Sequence, residues 1–130
     1  MTQQLLAQRI RTPDGTILQS YNRHDFKRHL DAKTGETYMV DGGLDYCRSI
    51  INEVPAENLC VFVGDDFNHI RSAFCWGTRG KEGKDPVKYV PLKDLETGHI
   101  EAILNTQHQV PVHIRDQFFL ELEFRGVDFD

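Results

Sequence analysis

The sequence is short of the residues that metal and disulfide scaffolds need. Its three cysteines, Cys47, Cys60 and Cys75, are widely spaced, and no CxxC or CxH pair links them. That excludes a disulfide framework and a cysteine zinc site, and leaves free thiols in a reducing compartment as the expectation. Long apolar runs are missing too, so nothing approaches the roughly 20 residues that cross a bilayer as a helix. The start, Met1 to Gln8, has no basic stretch followed by an apolar one, which predicts no signal peptide and hence cytoplasmic residence. Positive charge is not in excess: 15 Lys and Arg stand against 20 Asp and Glu, a net charge of -5. This argues against DNA binding through the phosphate backbone, although one arginine-lined pocket can still be locally positive. There is no Walker loop, and Ser20, Ser49 and Ser72 lie in no nucleophile elbow. His69, His99, His108 and His113 lack metal-ligand spacing. With no linker or repeat, residues 1–130 read as a single domain.

What is present is globular: 39% apolar and 27% charged residues. Turn residues punctuate the chain. Thr12-Pro13-Asp14-Gly15 separates strands over 5–11 and 16–21, because Pro fixes its own φ and Gly accepts a positive one. Lys33-Thr34-Gly35-Glu36 joins strands near 24–30 and 37–41; in the first, Phe26 and Leu30 share one face, and Asp25, Lys27 and His29 the other. Asp41-Gly42-Gly43 is a further turn or bulge before a strand over 44–51, making an antiparallel meander of four or five strands. A short strand over 59–63 follows Pro55. Asp65-Asp66 then offers N-cap chemistry to a helix with Phe67, Ile70, Arg71 and Phe74 on one face. Residues 76–79 and 87–92 form a hairpin around a glycine- and lysine-rich loop. A helix over 95–106 shows Ile100, Ile103 and Leu104. A last one starts at Pro111, carries Arg115, Phe118, Phe119 and Leu122 as a stripe, and stops at Gly126. The predicted class is α+β: an N-terminal antiparallel β-meander, then a β-hairpin and two to three helices packed on the sheet.

Three constellations mix chemistry-bearing residues. His24, Asp25 and His29 face Asp41 and Asp45 if their strands pair, which suits acid–base or metal chemistry. But His24 and His29, five apart, point opposite ways on a regular strand, and the alternative is a set of sheet-surface hydrogen bonds around a tight Gly42-Gly43 bend. Trp76-Gly77-Thr78-Arg79-Gly80-Lys81 offers a stacking face, cations and close backbone approach to an anion; the alternative is a hairpin tip with Trp76 in the core. Arg115-Asp116 sets an arginine in a first helical turn, against the helix dipole. It either reaches a ligand anion or joins an ordinary ion pair. Arg71, on an apolar face, either snorkels or points into a pocket.

The string RHDF, then TG, then VDGGLDYCR resembles a phage-protein pattern whose members often carry CxxC knuckles at the two flanking turns. Here residues 11–15 and 31–35 hold no cysteine, so plain β-turns replace any zinc knuckle. With the later IRSAFCWGTRGKEGKDPVKYVPLKDLETGHIEAILNTQ and FFLELEFR, residues 9–125 resemble the first type of Thoeris anti-defence protein, phage sponges for the cyclic ADP-ribose signals of bacterial immune TIR enzymes. The resemblance implies ligand binding without hydrolysis in the host cytoplasm. It also implies a homodimer or larger homo-oligomer with pockets at subunit boundaries, and contact through an arginine–aspartate pair matched by Arg115 and Asp116. Phe74 and Trp76 are the candidates for the stacking aromatic.

The expected ligand-binding set is thus Arg115, Asp116, Phe74, Trp76, Thr78, Arg79 and Arg71. The expected partner is a small cyclic nucleotide, with no DNA, membrane, cofactor or metal. Two alternatives stand beside this reading: a nucleotide phosphodiesterase or hydrolase using His24, Asp25 and Asp45, and a host-takeover adaptor that buries its aromatic patches in a protein interface.

Overall fold

Local chemistry accounts for each element. The computed structural model describes residues 4–46, 51–80 and 82–129. The chain divides into two compact units, residues 1–65 and 66–130. In the first unit β1 (Leu5–Arg11) is central. It pairs antiparallel with β2 (Ile17–Ser20) in the register Gln8 to Ser20 and Arg11 to Ile17. Its other edge takes β5 (Glu57–Asn58) and β6 (Val61–Phe62). The strand expected over 59–63 is therefore two short pieces, and pairing starts earlier, at Glu57. β3 (Lys27–Leu30) pairs antiparallel with β4 (Thr37–Val40). Leu18, Tyr38 and Val40 form one small core cluster of the unit, with Ile10 and Ala56 against it.

One expectation in this unit holds and another changes. Phe26 and Leu30 do share a face of the β3 segment, but that face is exposed. The polar face is occupied instead: Lys27 Nζ donates to the Gln19 carbonyl (2.8 Å) and lies over the Tyr21 ring. His29 reaches Asp14. Of the strand expected over 44–51, Leu44 and Asp45 are turn residues; residues 47–50, with Cys47 and Ser49, lie outside the described residues.

The second unit opens with α1 (Phe67–Ala73), capped by the Asp66 carboxylate, which accepts the Asn68 amide at 2.9 Å. β7 (Cys75–Thr78) and β8 (Lys88–Pro91) form the expected hairpin. A short 3-10 turn, Leu92–Asp94, leads to α2 (Thr97–Thr106), which buries Ile100, Ile103 and Leu104 as predicted. α3 (Val112–Phe124) ends in a Schellman motif: Val127 N donates to the Leu122 carbonyl and Gly126 N to that of Glu123, with Gly126 at φ 72°. The stripe α3 buries is Ile114, Gln117, Phe118, Glu121 and Leu122, so Phe119 lies outside it and a carboxylate inside. The Phe118 ring takes Phe74 edge-on at 6.0 Å and Trp76 at 5.2 Å. Antiparallel strands in small sheets, with three helices among the described residues, make this an α+β protein.

Candidate functional site

The second unit holds a cleft of about 410 Å³ lined by Thr78 and Gly80 at the end of β7 and by Glu96 and His99 at the start of α2. Its position follows from local sequence. Gly80, at φ 80°, turns the chain away from the strand, and its amide donates to Thr78 Oγ1. On the opposite wall no side chain caps α2. The first amides of a helix carry partial positive charge, and His99 adds an imidazole. Hydroxyl, carboxylate and imidazole together suit a polar, hydroxyl-bearing ligand. A few hundred Å³ is the scale of small-molecule pockets.

Among the residues expected to bind ligand, Thr78 lines this cleft, and Arg79, next in the chain, is exposed. Trp76 is half-buried and turns its ring edge-on to Phe118, while Phe74 is buried outright. Arg71 forms a bidentate pair with Glu121, Nε to Oε1 at 2.8 Å and Nη2 to Oε2 at 2.7 Å, and lies over the Phe124 ring. Glu121 is fully buried and also takes Arg125 Nε at 2.6 Å. Burial pushes its carboxyl up, but the two arginines outweigh that and hold it below its ordinary value. Arg125 further donates to Thr97 Oγ1 and to the carbonyls of Leu92 and Lys93, which fixes the start of α2.

The geometry also answers the puzzle of Arg115. Its guanidinium donates to the carbonyls of Leu104 (3.5 Å) and Gln107 (3.3 Å), at the C-terminal end of α2. An arginine opposed to the dipole of its own helix thus serves the negative end of a neighbouring one. Asp116 is exposed. Lys81 lies outside the described residues. Read in sequence, His99 is a capping or exposed residue near a helix start, and Glu96, its neighbour in the cleft lining, is missed.

In the first unit the RHDF and VDGGLDY strings do meet, as a hydrogen-bonded knot. Buried Gln8 donates through Nε2 to the carbonyls of Gly43 (2.7 Å) and Tyr46 (2.8 Å), while its Oε1 accepts the Asp41 amide. Ser20 Oγ donates to the Asp25 carbonyl (2.6 Å) and accepts the Gly43 amide (2.9 Å). The Asp25 carboxylate takes the Tyr21 amide and Lys27. Gly43, at φ 55°, packs so close to the Asn22 backbone that no Cβ fits. His24 and Asp45 are exposed. Among the described residues, one cluster brings His and carboxylate ligand atoms within 4.8 Å of one another. It is Asp14, His29 and Asp31, not His24, Asp25 and Asp45.

That cluster joins the two turns that carry no cysteine. Asp14 N donates to Asp31 Oδ1 (2.8 Å), and Ala32 N donates in return to Asp14 Oδ2 (2.9 Å). His29 Nε2 donates to Asp14 Oδ2 at 2.7 Å, since an ionised carboxylate can only accept. Thr12 and Thr16 fill Asp14 Oδ1, and Lys33 and Thr34 fill Asp31 Oδ2. No protein-family model, curated protein or solved structure matches this chain.

Proposed function

We propose that this chain binds a small cyclic nucleotide signal of the cyclic ADP-ribose type and sequesters it without degrading it, as a phage anti-defence protein acting as a homo-oligomer in the host cytoplasm. The observation that carries the ligand-binding part is the cleft of Thr78, Gly80, Glu96 and His99, with exposed Arg79 next to Thr78 in the chain. Arg79 and His99 suit phosphate oxygens, and Glu96 and Thr78 suit ribose hydroxyls. The anti-defence role and the identity of the signal come from the sequence resemblance. Arg71 and Arg115 already hold protein groups, so exposed Arg79 is the arginine of the expected set left to meet ligand. No helix among the described residues is long and apolar enough to cross a membrane.

Incubation of the protein with cyclic ADP-ribose isomers, followed by heat denaturation and chromatography of the released ligand, tests this reading. The expected result is stoichiometric capture and recovery of intact ligand, with capture weakened at least tenfold in Arg79→Ala, the loss of about one charge-assisted contact. Recovery of cleaved ligand, or no capture of any isomer, contradicts it.

A further inference from the structure

We propose that the facing turns of residues 12–16 and 31–36 form a metal-free, proton-operated clasp: acid, and not a chelator, frees the ends of the two hairpins that it joins. The turns grip each other reciprocally, each aspartate accepting an amide of the opposite turn. A bound cation needs free lone pairs. Asp14 already accepts two donors on each oxygen, from Thr12 and Thr16 on Oδ1 and from His29 and Ala32 on Oδ2. Asp31, 1% exposed, accepts one donor on Oδ1 and three on Oδ2. A metal ion would have to displace these charge-assisted bonds and strand the amides that make them.

A proton does the same job more simply. It turns an acceptor oxygen into a hydroxyl, and the amides facing it cannot rotate away. The charged groups around the clasp are Asp14 on the first turn, His29 on β3, Asp31 and Lys33 on the second turn, and Glu36 at the start of β4. The carboxylate of Glu36 is itself held by the amides of Glu53 and Val54. The Thr12 hydroxyl, then the Ala32 amide and His29, hold the Asp14 carboxyl far below the ordinary carboxylate range. Burial raises that of Asp31, and the Asp14 amide with the amide and hydroxyl of Thr34 outweighs it, leaving a lowered value. Groups lowered on folding stabilise the fold above their unfolded value, and that contribution is lost as pH falls through the folded one. The clasp therefore stays shut at neutral pH and opens only below about pH 4, the ordinary aspartate value.

Amide hydrogen exchange followed by NMR from pH 7 to pH 2, repeated with EDTA and with equimolar zinc chloride, tests the proposal. Protection at Asp14, Ala32 and Thr34 is expected to be unchanged by EDTA or zinc and to collapse in acid before protection at Gly43, whose amide is held by the uncharged Ser20. In Asp14→Asn, protection at Ala32 should fall at least tenfold at pH 7. If that variant does not fold, Thr34→Val, which removes one donor to Asp31, should move the acid opening to higher pH. Stoichiometric zinc uptake that raises protection, simultaneous loss at Ala32 and Gly43, or variants that leave both readouts unmoved would overturn the clasp.

Discussion

Glu121 is the residue on which the second unit turns. A buried carboxylate costs several kcal/mol unless it is paired, and here two guanidiniums meet it. Glu121→Gln leaves both without their anion. Because Arg71 and Arg125 keep 19% and 18% of their side-chain surface in water, the loss should sit at the low end for a broken buried pair, about 3 kcal/mol. Urea denaturation of the variant measures it. The wild-type contribution holds above the ordinary glutamate value and fades as pH falls through the lowered folded one, so the deficit of the variant should shrink in strong acid. Gly43 makes the complementary case in the first unit. An alanine there faces a positive φ and the Asn22 backbone at once, so Gly43→Ala should cost at least about 1–3 kcal/mol. A thermal melt that is unchanged would remove the structural role assigned to the double glycine. Neither residue was readable for what it does. Glu121 carries no sign in sequence that two arginines, fifty and four positions away, will allow it into the core. The glycine pair signalled a bend, but not that Gln8 and Ser20 would clamp it.

At the scale of elements, the C-terminal ends of α2 and α3 were the most legible and the middle of α3 the least, and α2 begins at Thr97 where the sequence placed Leu95. Pro111 and Gly126 bracket α3 as their backbone preferences require, Pro at the N-cap and Gly at positive φ after the last turn. The buried stripe was misjudged because periodicity was sought among apolar residues, and Gln117 and Glu121 hold two of its places. The β7–β8 hairpin came out in the expected position, since its loop is marked by Gly80, Gly83 and Pro86. Strand edges fared worse: β5 and β6 take only two residues each, and pairing to β1 rather than propensity decides them. Arg115 ties two helices, and that gives it a measurable structural role. Arg115→Ala should lower stability by only about 0.3–1 kcal/mol, the scale of a cation at a helix C-terminus. A thermal melt checks this, and a much larger drop would mean that Arg115 does more than cap α2.

At the scale of the whole molecule, two compact units carry two different kinds of chemistry. The first spends its polar residues on itself, in the Gln8–Ser20 knot and the Asp14–Asp31 turns. This is why the His and Asp residues that looked most enzyme-like in sequence end as structural fasteners or exposed side chains. The second unit sets Thr78, Glu96 and His99 around an open cleft, and the functional reading rests there. Of the residues expected from the sequence, Thr78 lines that cleft. Glu96 and His99 line it from the start of α2, brought alongside by a hairpin and a 3-10 turn that no local pattern relates to it. Titration calorimetry of the wild-type protein and of Thr78→Val, Arg79→Ala and His99→Ala with a cyclic ADP-ribose isomer tests the central claim most directly. The account predicts tight binding by the wild type and at least tenfold weaker binding by each variant, with their melting temperatures unmoved. Equal binding by all four proteins, or none by the wild type, would contradict it.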